Sequence, residues 1–307
     1  MTDATPSARA TEPTLSDPPT PSATPAPATD DTRNSAASLR GVSIVMSGGS
    51  RGIGLAIALR AARDGANVTL LAKTDRQHPK LEGTVHTAAE QIRAAGGGAV
   101  GVVGDLREET DIDRAVAAAV DTFGGIDIVV NNASAISLDG SLEVAAKRYD
   151  LMHQINVRGT FLFTRAAMPH LLDSSRPRVL TLSPPLNLAP KWLAAYPAYM
   201  TAKYGMTLTT LGHAHEFADR GLEANTLWPR TTIATAAVAN VIGGDELMRR
   251  SRSPELYADA AYELLTGRAR NGETLLCEDV LAEAGVTDLA AYSPGVEESS
   301  LFPDAFV

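Results

Sequence analysis

Short apolar runs rich in β-branched residues alternate with helix-like segments from about residue 41 onward. Because parallel strands are joined through crossover segments, usually helices, this order predicts βαβ units with right-handed connections. The predicted fold class is α/β, with a single doubly wound parallel sheet flanked by helices. The predicted strands are 42–46, 67–71, 99–103, 126–130, 178–182, 222–227 and 274–277, and the predicted helices are 55–63, 88–95, 112–123 and 198–217.

The first 39 residues differ in composition from the rest of the chain. They hold seven of the 18 prolines and almost no large apolar side chain. Such a segment cannot bury enough apolar surface to offset the entropy that is lost on ordering. We therefore predict a disordered tail at residues 1–39 and one domain at residues 40–307, which is long enough for a full hydrophobic core.

Charge and composition exclude several classes of protein. The formal net charge of -9 argues against a nucleic-acid-binding surface. No apolar run approaches the roughly 18 residues of a membrane-spanning helix, and the N-terminus lacks the basic and apolar regions of a secretory signal. Cys277 is the only cysteine, which suits a reducing compartment. We expect a cytoplasmic protein. We predict no metal site, because His213 and His215 are two residues apart on a helix and their rings diverge.

A glycine-rich loop, SGGSRGIG at residues 47–54, joins the first predicted strand to the first predicted helix. Its glycines permit a tight turn, close approach of the backbone to phosphate and close packing of the helix on the strand. The N–H groups and the dipole at the helix N-terminus favour a pyrophosphate. The strand–loop–helix context favours a Rossmann-type dinucleotide site over a structural turn. The expected contacts are Ser47, Gly48, Ser50, Arg51, Gly52, Ile53 and Gly54.

The end of the second predicted strand bears on the choice between NAD(H) and NADP(H). Sites for NAD usually carry a carboxylate there for the ribose 2′-hydroxyl, whereas this chain has Lys73. Lys73 and Arg51 would bind a 2′-phosphate through charge-assisted hydrogen bonds, although both could instead be solvated surface cations. Asp75 lies beyond the predicted end of the strand. We therefore expect NADP(H) rather than NAD(H).

Further motifs follow the glycine loop in a characteristic order. They are Asp105-Leu106 after the third strand, Asn131-Asn132-Ala133-Ser134 after the fourth, Asn156, and the pair Tyr199 and Lys203. Together, over about 160 residues, these motifs resemble the short-chain dehydrogenase/reductase superfamily. The resemblance implies a Rossmann fold, oxidoreductase activity and a homodimer or homotetramer that forms through two long helices.

The resemblance also implies a role for each cofactor-binding motif. Asp105 and Leu106 would contact the adenine, and Asn132 and Ala133 would line the ribose. After the sixth strand, Pro229 and Ile233 would contact the nicotinamide, with a one-residue offset from the family pattern at Ile233. Residues 235–253 are expected to form a lid over the substrate.

Tyr199 and Lys203 are four residues apart and therefore share one face of the predicted helix. By resemblance, Tyr199 gives a proton to the carbonyl oxygen while the nicotinamide gives hydride to the carbon. Lys203 would also hold the nicotinamide ribose, and Asn156 would anchor a water that continues the proton path. The Lys203 ammonium and an oxidised nicotinamide are both expected to lower the pKa of Tyr199.

The family's catalytic serine has no direct counterpart in this sequence. Ser183 matches the first residue of the usual Ser-Ser pair, but Pro184 occupies the second position and has no hydroxyl. Three alternatives stay open: Ser183 turns inward, Asn187 substitutes for the serine, or the donor is missing. We favour Ser183 as the catalytic serine.

A closer resemblance, over about residues 41–307, is to the hydroxysteroid dehydrogenase-like group and its bacterial members. It rests on residues 72–74, 78–80, 132–137, 183–187, 202–206, 227–229 and 259–262. The leading hypothesis is an NADP(H)-dependent oxidoreductase that interconverts a carbonyl and a secondary alcohol on a lipophilic substrate. One alternative is a catalytically weak NADP(H)-binding scaffold or sensor, which Pro184 favours. The other is a reductase of enoyl- or 3-oxoacyl-CoA thioesters.

Overall fold

The computed structural model describes residues 38–77 and 82–307, so most of the predicted tail and residues 78–80 lie outside it. Two residues of the predicted tail, Ser38 and Leu39, are described. Leu39 is fully buried in a cluster with Val42 and Ile44. Its backbone N–H donates to the Asp64 carboxylate at 2.6 Å. Leu39 therefore belongs to the packed domain, two residues earlier in the chain than Gly41, where the sequence pattern begins.

Within the described residues, seven parallel strands form one sheet in the order β3-β2-β1-β4-β5-β6-β7. They are β1 (Ser43–Ser47), β2 (Asn67–Ala72), β3 (Gly98–Val103), β4 (Ile128–Asn131), β5 (Arg178–Thr181), β6 (Glu223–Trp228) and β7 (Thr274–Leu276). Val45 of β1 lies opposite Thr69 on one side and Val129 on the other. The predicted doubly wound parallel sheet is confirmed. Its strand order reverses between β1 and β4, which is where open α/β sheets bind their ligands.

Ten α-helices accompany the sheet in the same part of the chain. They are α1 (Gly52–Arg63), α2 (Val85–Ala94), α3 (Glu109–Phe123), α4 (Ala146–Met152), α5 (Thr160–Leu172), α6 (Pro190–Ala195), α7 (Pro197–Glu216), α8 (Gly244–Arg249), α9 (Pro254–Thr266) and α10 (Cys277–Glu283). Two π-helical segments, His153–Gly159 and Val238–Ile242, precede α5 and α8. None of the helices described is both long and apolar enough to cross a membrane.

The core has two layers, one on each face of the sheet. Ile44 and Met46 of β1 point into a layer with α1, α2, α9 and α10. Val45 points the other way, into a layer with α3, α5 and α7. Because successive side chains of a strand alternate between faces, burial on both faces explains the continuous apolar run of β1.

The predicted strand boundaries differ from the observed ones by one or two residues, and β4 and β7 are examples. Strand β4 begins at Ile128, because the Asp127 carboxylate accepts the Ser43 N–H at 2.8 Å and the Ser174 hydroxyl at 2.6 Å. Strand β7 ends at Leu276, and Cys277, which is fully buried, begins α10. The Asp127 contacts join positions 84 and 47 residues apart in the sequence, so a local apolar pattern does not reveal them.

Candidate active site

A cavity of about 710 Å³ lies at the carboxyl ends of the strands. The loops that follow β1, β2, β3, β4 and β6 form its wall, together with the first turns of α7 and residues 302–305. Most of the predicted site residues line this cavity: Gly48, Ser50, Arg51, Gly52, Ile53, Lys73, Asp105, Leu106, Asn132, Ala133, Tyr199, Lys203, Pro229 and Ile233. Four others, Ser47, Gly54, Asn156 and Ser183, are not part of its lining.

Ser47 and Gly54 do not line the cavity themselves, but they contact Asn132, which does. The Ser47 hydroxyl accepts the backbone N–H groups of Asn132 and Ala133, each at 3.2 Å. The Asn132 amide donates to the Ser47 carbonyl at 3.0 Å. A Cβ atom at Gly48 or Gly54 would lie 2.6 or 2.5 Å from the Asn132 side-chain nitrogen. These glycines therefore let the ends of β1 and β4 approach each other under the glycine loop.

The glycine loop runs directly into the N-terminus of α1, which fits a pyrophosphate. Arg51 is its N-cap residue, and in the described residues no side chain caps the helix and no acidic side chain lies in its first turn. Gly52 has a φ of +59°, a conformation that favours glycine. Gly52 and Ile53 both line the cavity. The unpaired N–H groups and the positive end of the helix dipole suit a dinucleotide phosphate.

Arg51 lines the cavity and is held by the loops after β2 and before α2. Its guanidinium donates to the Thr74 hydroxyl at 3.1 Å and to the Gly83 carbonyl at 2.8 Å. Its Nε is buried and has no hydrogen-bond partner among the described residues. The Arg51 guanidinium is therefore held in one orientation, and its Nε–H is not used by any of the described residues.

Lys73 is paired with the acidic residue that follows β3. Its ammonium lies 3.0 Å from the Asp105 carboxylate, and 58% of its side chain is exposed. Hydrogen bonds from Arg107 and, to a lesser extent, Lys73 hold the pKa of Asp105 well below its usual range. Asp105 is therefore ionised and partly neutralises the charge of Lys73. The sequence does not reveal this pairing.

Asn156 lies in the π-helical segment His153–Gly159 and is fully buried. Its side-chain oxygen accepts the Ala135 N–H at 2.8 Å, and its nitrogen donates to the Ala135 carbonyl at 3.0 Å. Asn156 therefore fixes the loop after β4 against this segment.

Tyr199 and Lys203 lie on one face of α7 and are both buried. The Lys203 ammonium donates to the Leu182 carbonyl at 2.8 Å and lies 5.0 Å from the centroid of the Trp228 ring. Burial lowers the pKa of Lys203 to about 7. Burial, with a contribution from the Asp304 carboxylate, raises the pKa of Tyr199. The protein groups around Tyr199 therefore shift its pKa upward, opposite to the expected direction.

Ser183 does not turn toward the cavity. It is fully buried, and its hydroxyl accepts a hydrogen bond from Thr207 of α7 at 2.9 Å. The second candidate, Asn187, uses its side chain to bind the Phe306 carbonyl at 3.3 Å and the Ala189 N–H at 3.1 Å. Neither the Ser183 hydroxyl nor the Asn187 side chain is therefore part of the cavity lining, and the catalytic role of Ser183 stays a prediction.

The segment after β6 closes one side of the cavity. Pro229, Ile233 and Val238 line it, so part of the predicted lid 235–253 does lie at the site. Arg252 is fully buried and forms an ion pair with Glu298 at 2.6 Å.

Sequence reasoning missed the C-terminal residues, of which 302–305 line the cavity. Phe306 is fully buried, and its ring centroid lies 6.2 Å from that of Tyr199. The only local signal was an aromatic residue near the end of a polar segment. Trp192, Tyr196 and Trp228 also line the cavity. In the described residues no cluster of His, Cys, Asp and Glu could hold a metal ion.

Comparison with known proteins adds to this geometry. The sequence matches the short chain dehydrogenase family over residues 43–243. It is 49% identical over 273 residues to hydroxysteroid dehydrogenase-like protein 2 of Danio rerio, covering 88% of this chain and 64% of that protein. The human protein of the same name is 46% identical over 272 residues, with the same coverage. The chain thus spans 64% of the length of these curated relatives.

Two bacterial crystal structures are similar in sequence and in fold. A candidate dehydrogenase from Xanthomonas campestris is 51% identical with a TM-score of 0.84, covering 88% of this chain and 99% of that one. A short chain dehydrogenase from Mycobacterium thermoresistibile is 57% identical with a TM-score of 0.83, covering 88% of this chain and 96% of that one.

Proposed function

Because this chain belongs to the short chain dehydrogenase family, we propose that it is an NADP(H)-dependent oxidoreductase that interconverts a carbonyl and a secondary alcohol. The observation that carries this proposal is the placement of Tyr199 and Lys203. Both side chains line the cavity that the glycine loop also lines. A proton donor and a cation thus lie in the same cavity as a site that fits a dinucleotide.

The cofactor is a nicotinamide dinucleotide, which supplies or accepts hydride when bound. The glycine loop and the N-terminus of α1 would hold its pyrophosphate. Leu106, Asn132 and Ala133 would line the adenosine part, as the family resemblance implies. Arg51 and Lys73 would bind a 2′-phosphate, which is why we propose NADP(H) rather than NAD(H).

In the reducing direction, Tyr199 would deliver the proton of its phenolic oxygen to the substrate oxygen. The phenolate that remains would be stabilised by the Lys203 ammonium. Because the protein raises the pKa of Tyr199, the phenol form dominates and suits a proton donor. Asn156 would position the loop after β4 and, through that loop, the water that we place on the proton path.

The substrate is proposed to be lipophilic. Apolar or aromatic side chains form the cavity wall near Tyr199, among them Ile136, Leu138, Trp192 and Tyr196. Such walls favour apolar surface, and a few polar groups orient the ligand. Leu186 and Leu188 are 40% and 67% exposed and are not part of the cavity lining.

Replacing Tyr199 with Phe tests the proposed chemistry. We expect Y199F to lose turnover because the proton donor is removed, while the dissociation constant for NADPH stays within about twofold, since the hydroxyl is not needed for phosphate binding. NADPH oxidation would be followed with ketosteroids, fatty aldehydes and acyl-CoA thioesters, and cofactor binding by fluorescence titration. Turnover by Y199F equal to that of the wild type would contradict the role.

A second candidate function is a weakly active NADP(H)-binding scaffold or sensor. The observation that favours it is that neither Ser183 nor Asn187 reaches the cavity. The same assays separate the two functions, because a scaffold would bind NADPH and would turn over none of the carbonyl compounds.

We also propose a homodimer or homotetramer formed through α5 and α7. Phe161 of α5 and Leu208 of α7 expose 44% and 57% of their surface. Exposed large apolar side chains on two long helices are typical of surfaces that pair. The composition, with Cys277 as its single cysteine, supports the cytoplasmic location that we propose.

A further inference from the structure

The C-terminal segment, residues 302–307, brings a carboxyl group to the cavity that holds Tyr199 and Lys203. Phe302, Pro303, Asp304 and Ala305 all line that cavity. Backbone hydrogen bonds fix the start of the segment against the chain after β6. The Thr232 N–H donates to the Phe302 carbonyl at 2.9 Å, and the Asp304 N–H donates to the Arg230 carbonyl at 2.9 Å.

The end of the segment is anchored by aromatic side chains. The Trp228 indole N–H donates to the Ala305 carbonyl at 2.9 Å. The Phe306 ring is fully buried, with its centroid 5.7 Å from that of Trp192 and 5.4 Å from that of Tyr204. Phe306 has a φ of +72°, which is unfavourable for a residue other than glycine and persists only where packing holds it. Asp304 therefore lies on a backbone that is fixed on both sides.

The surroundings of Asp304 include groups of both charges. Lys203 and Tyr199 face it from α7, Tyr257 from α9, and Cys277 and Glu278 from α10. The neighbouring Ala305 N–H donates to its carboxyl at 2.7 Å. Burial raises the pKa of Asp304 to about 7, with Glu278 acting in the same direction and Lys203 opposing it. Near neutral pH, a substantial fraction of Asp304 therefore carries a proton.

We propose that Asp304 is the hydrogen-bond donor that replaces the serine hydroxyl of the family. In its carboxylic acid form it would donate to the carbonyl oxygen of the substrate, as a neutral carboxyl in an apolar site can. The carbonyl carbon receives hydride, the oxygen receives the Tyr199 proton, and Asp304 keeps its own proton throughout. This inference rests on the proposed oxidoreductase function.

The position of Asp304 fits this role better than that of either residue expected from the sequence. The Ser183 hydroxyl accepts a hydrogen bond from Thr207 in the core, and Asn187 is bound to Phe306 and Ala189. Negative charge develops on the substrate oxygen during reduction, so a donor there stabilises the transition state, whereas a carboxylate would repel it. Activity should thus follow the protonated form of Asp304.

The test compares D304A and D304N in the full-length chain with NADPH and the best carbonyl substrate of the wild type. D304A should lose about 10²-fold in kcat/KM, the usual effect of removing one such donor. D304N keeps a donor and should retain most of the activity below pH 7. The ratio of D304N to wild-type kcat/KM should rise as pH increases through about 7, because only the wild type loses its donor. E297Q, at an exposed position outside the cavity, is the matched control.

Two kinetic results would overturn the role of Asp304. D304A with the kcat/KM of the wild type would show that the carboxyl is not needed. D304N as impaired as D304A would show that the carboxylate, acting on Lys203, is what matters. A wild-type chain that turns over no carbonyl would instead overturn the proposed function, and the inference with it.

Difference infrared spectroscopy of the cofactor-free protein gives a readout that does not depend on activity. The wild type should show a protonated carboxyl band that titrates near pH 7, and D304N should lack it. If the two proteins give the same spectra across this range, Asp304 does not carry the proton that the role requires.

Discussion

Arg51 and Lys73 illustrate how two cations at one cofactor site can differ in importance. Arg51 is oriented by Thr74 and Gly83, whereas Lys73 is largely exposed and shares its charge with Asp105. An exposed ion pair contributes little to stability, so Lys73 can leave Asp105 for a phosphate at small cost. An oriented guanidinium loses less entropy on binding. Arg51 should therefore contribute more than Lys73 to selectivity.

We expect R51A to weaken NADPH binding by about 10- to 100-fold, because a hydrogen bond to a charged group contributes about 1.5–3 kcal/mol. K73A should have a smaller effect, and NADH binding should change little in both variants. Fluorescence titration of both cofactors measures this. R76A is the matched control, since the Arg76 side chain is 95% exposed. Equal losses for NADPH and NADH in R51A, or a wild type that prefers NADH, would rule out the 2′-phosphate assignment.

At the scale of elements, the sequence predicts well those features that depend on residues close together in the chain. The strands and the glycine loop follow from apolar runs and from glycines at 48, 52 and 54. The family resemblance is confirmed by the match over residues 43–243. The surroundings of Ser183 are not predictable in this way, because they depend on Thr207, which is 24 residues away. Likewise the C-terminal segment meets Asn187 across 119 residues.

The C-terminal segment should act as one unit anchored by Phe306. Truncating a buried Phe to Ala costs about 3–5 kcal/mol, which is enough to release a short segment from the cavity. We expect F306A to lose kcat/KM about as much as D304A, because Asp304 leaves the site with the segment. Cofactor affinity should change little, since the glycine loop is untouched. F306L, which keeps the apolar volume, is the control. Steady-state kinetics with wild-type values for F306A would show that the segment stays docked without its aromatic anchor.

The whole molecule combines one two-layered domain with a preceding segment of different composition. The proposed cofactor and catalytic residues all follow Gly41, and the described residues that line the cavity fall between 48 and 305. Leu39 lies between the two parts and packs in the core. We therefore propose that Leu39 is the first residue that contributes substantially to the stability of the domain. We also propose that the residues before it are dispensable for catalysis.

Two matched changes locate this boundary. Deletion of residues 1–37 should leave the melting temperature and kcat/KM close to those of the full chain, because the composition of that segment offers little apolar surface to bury. L39A should cost about 2–5 kcal/mol of unfolding free energy, since it empties a fully buried position. In a domain of this size, that lowers the melting temperature by roughly 2–4 °C per kcal/mol. Thermal unfolding followed by circular dichroism measures both. A deletion variant as unstable as L39A would place the boundary earlier in the chain, and loss of activity at unchanged stability would give residues 1–37 a part in catalysis.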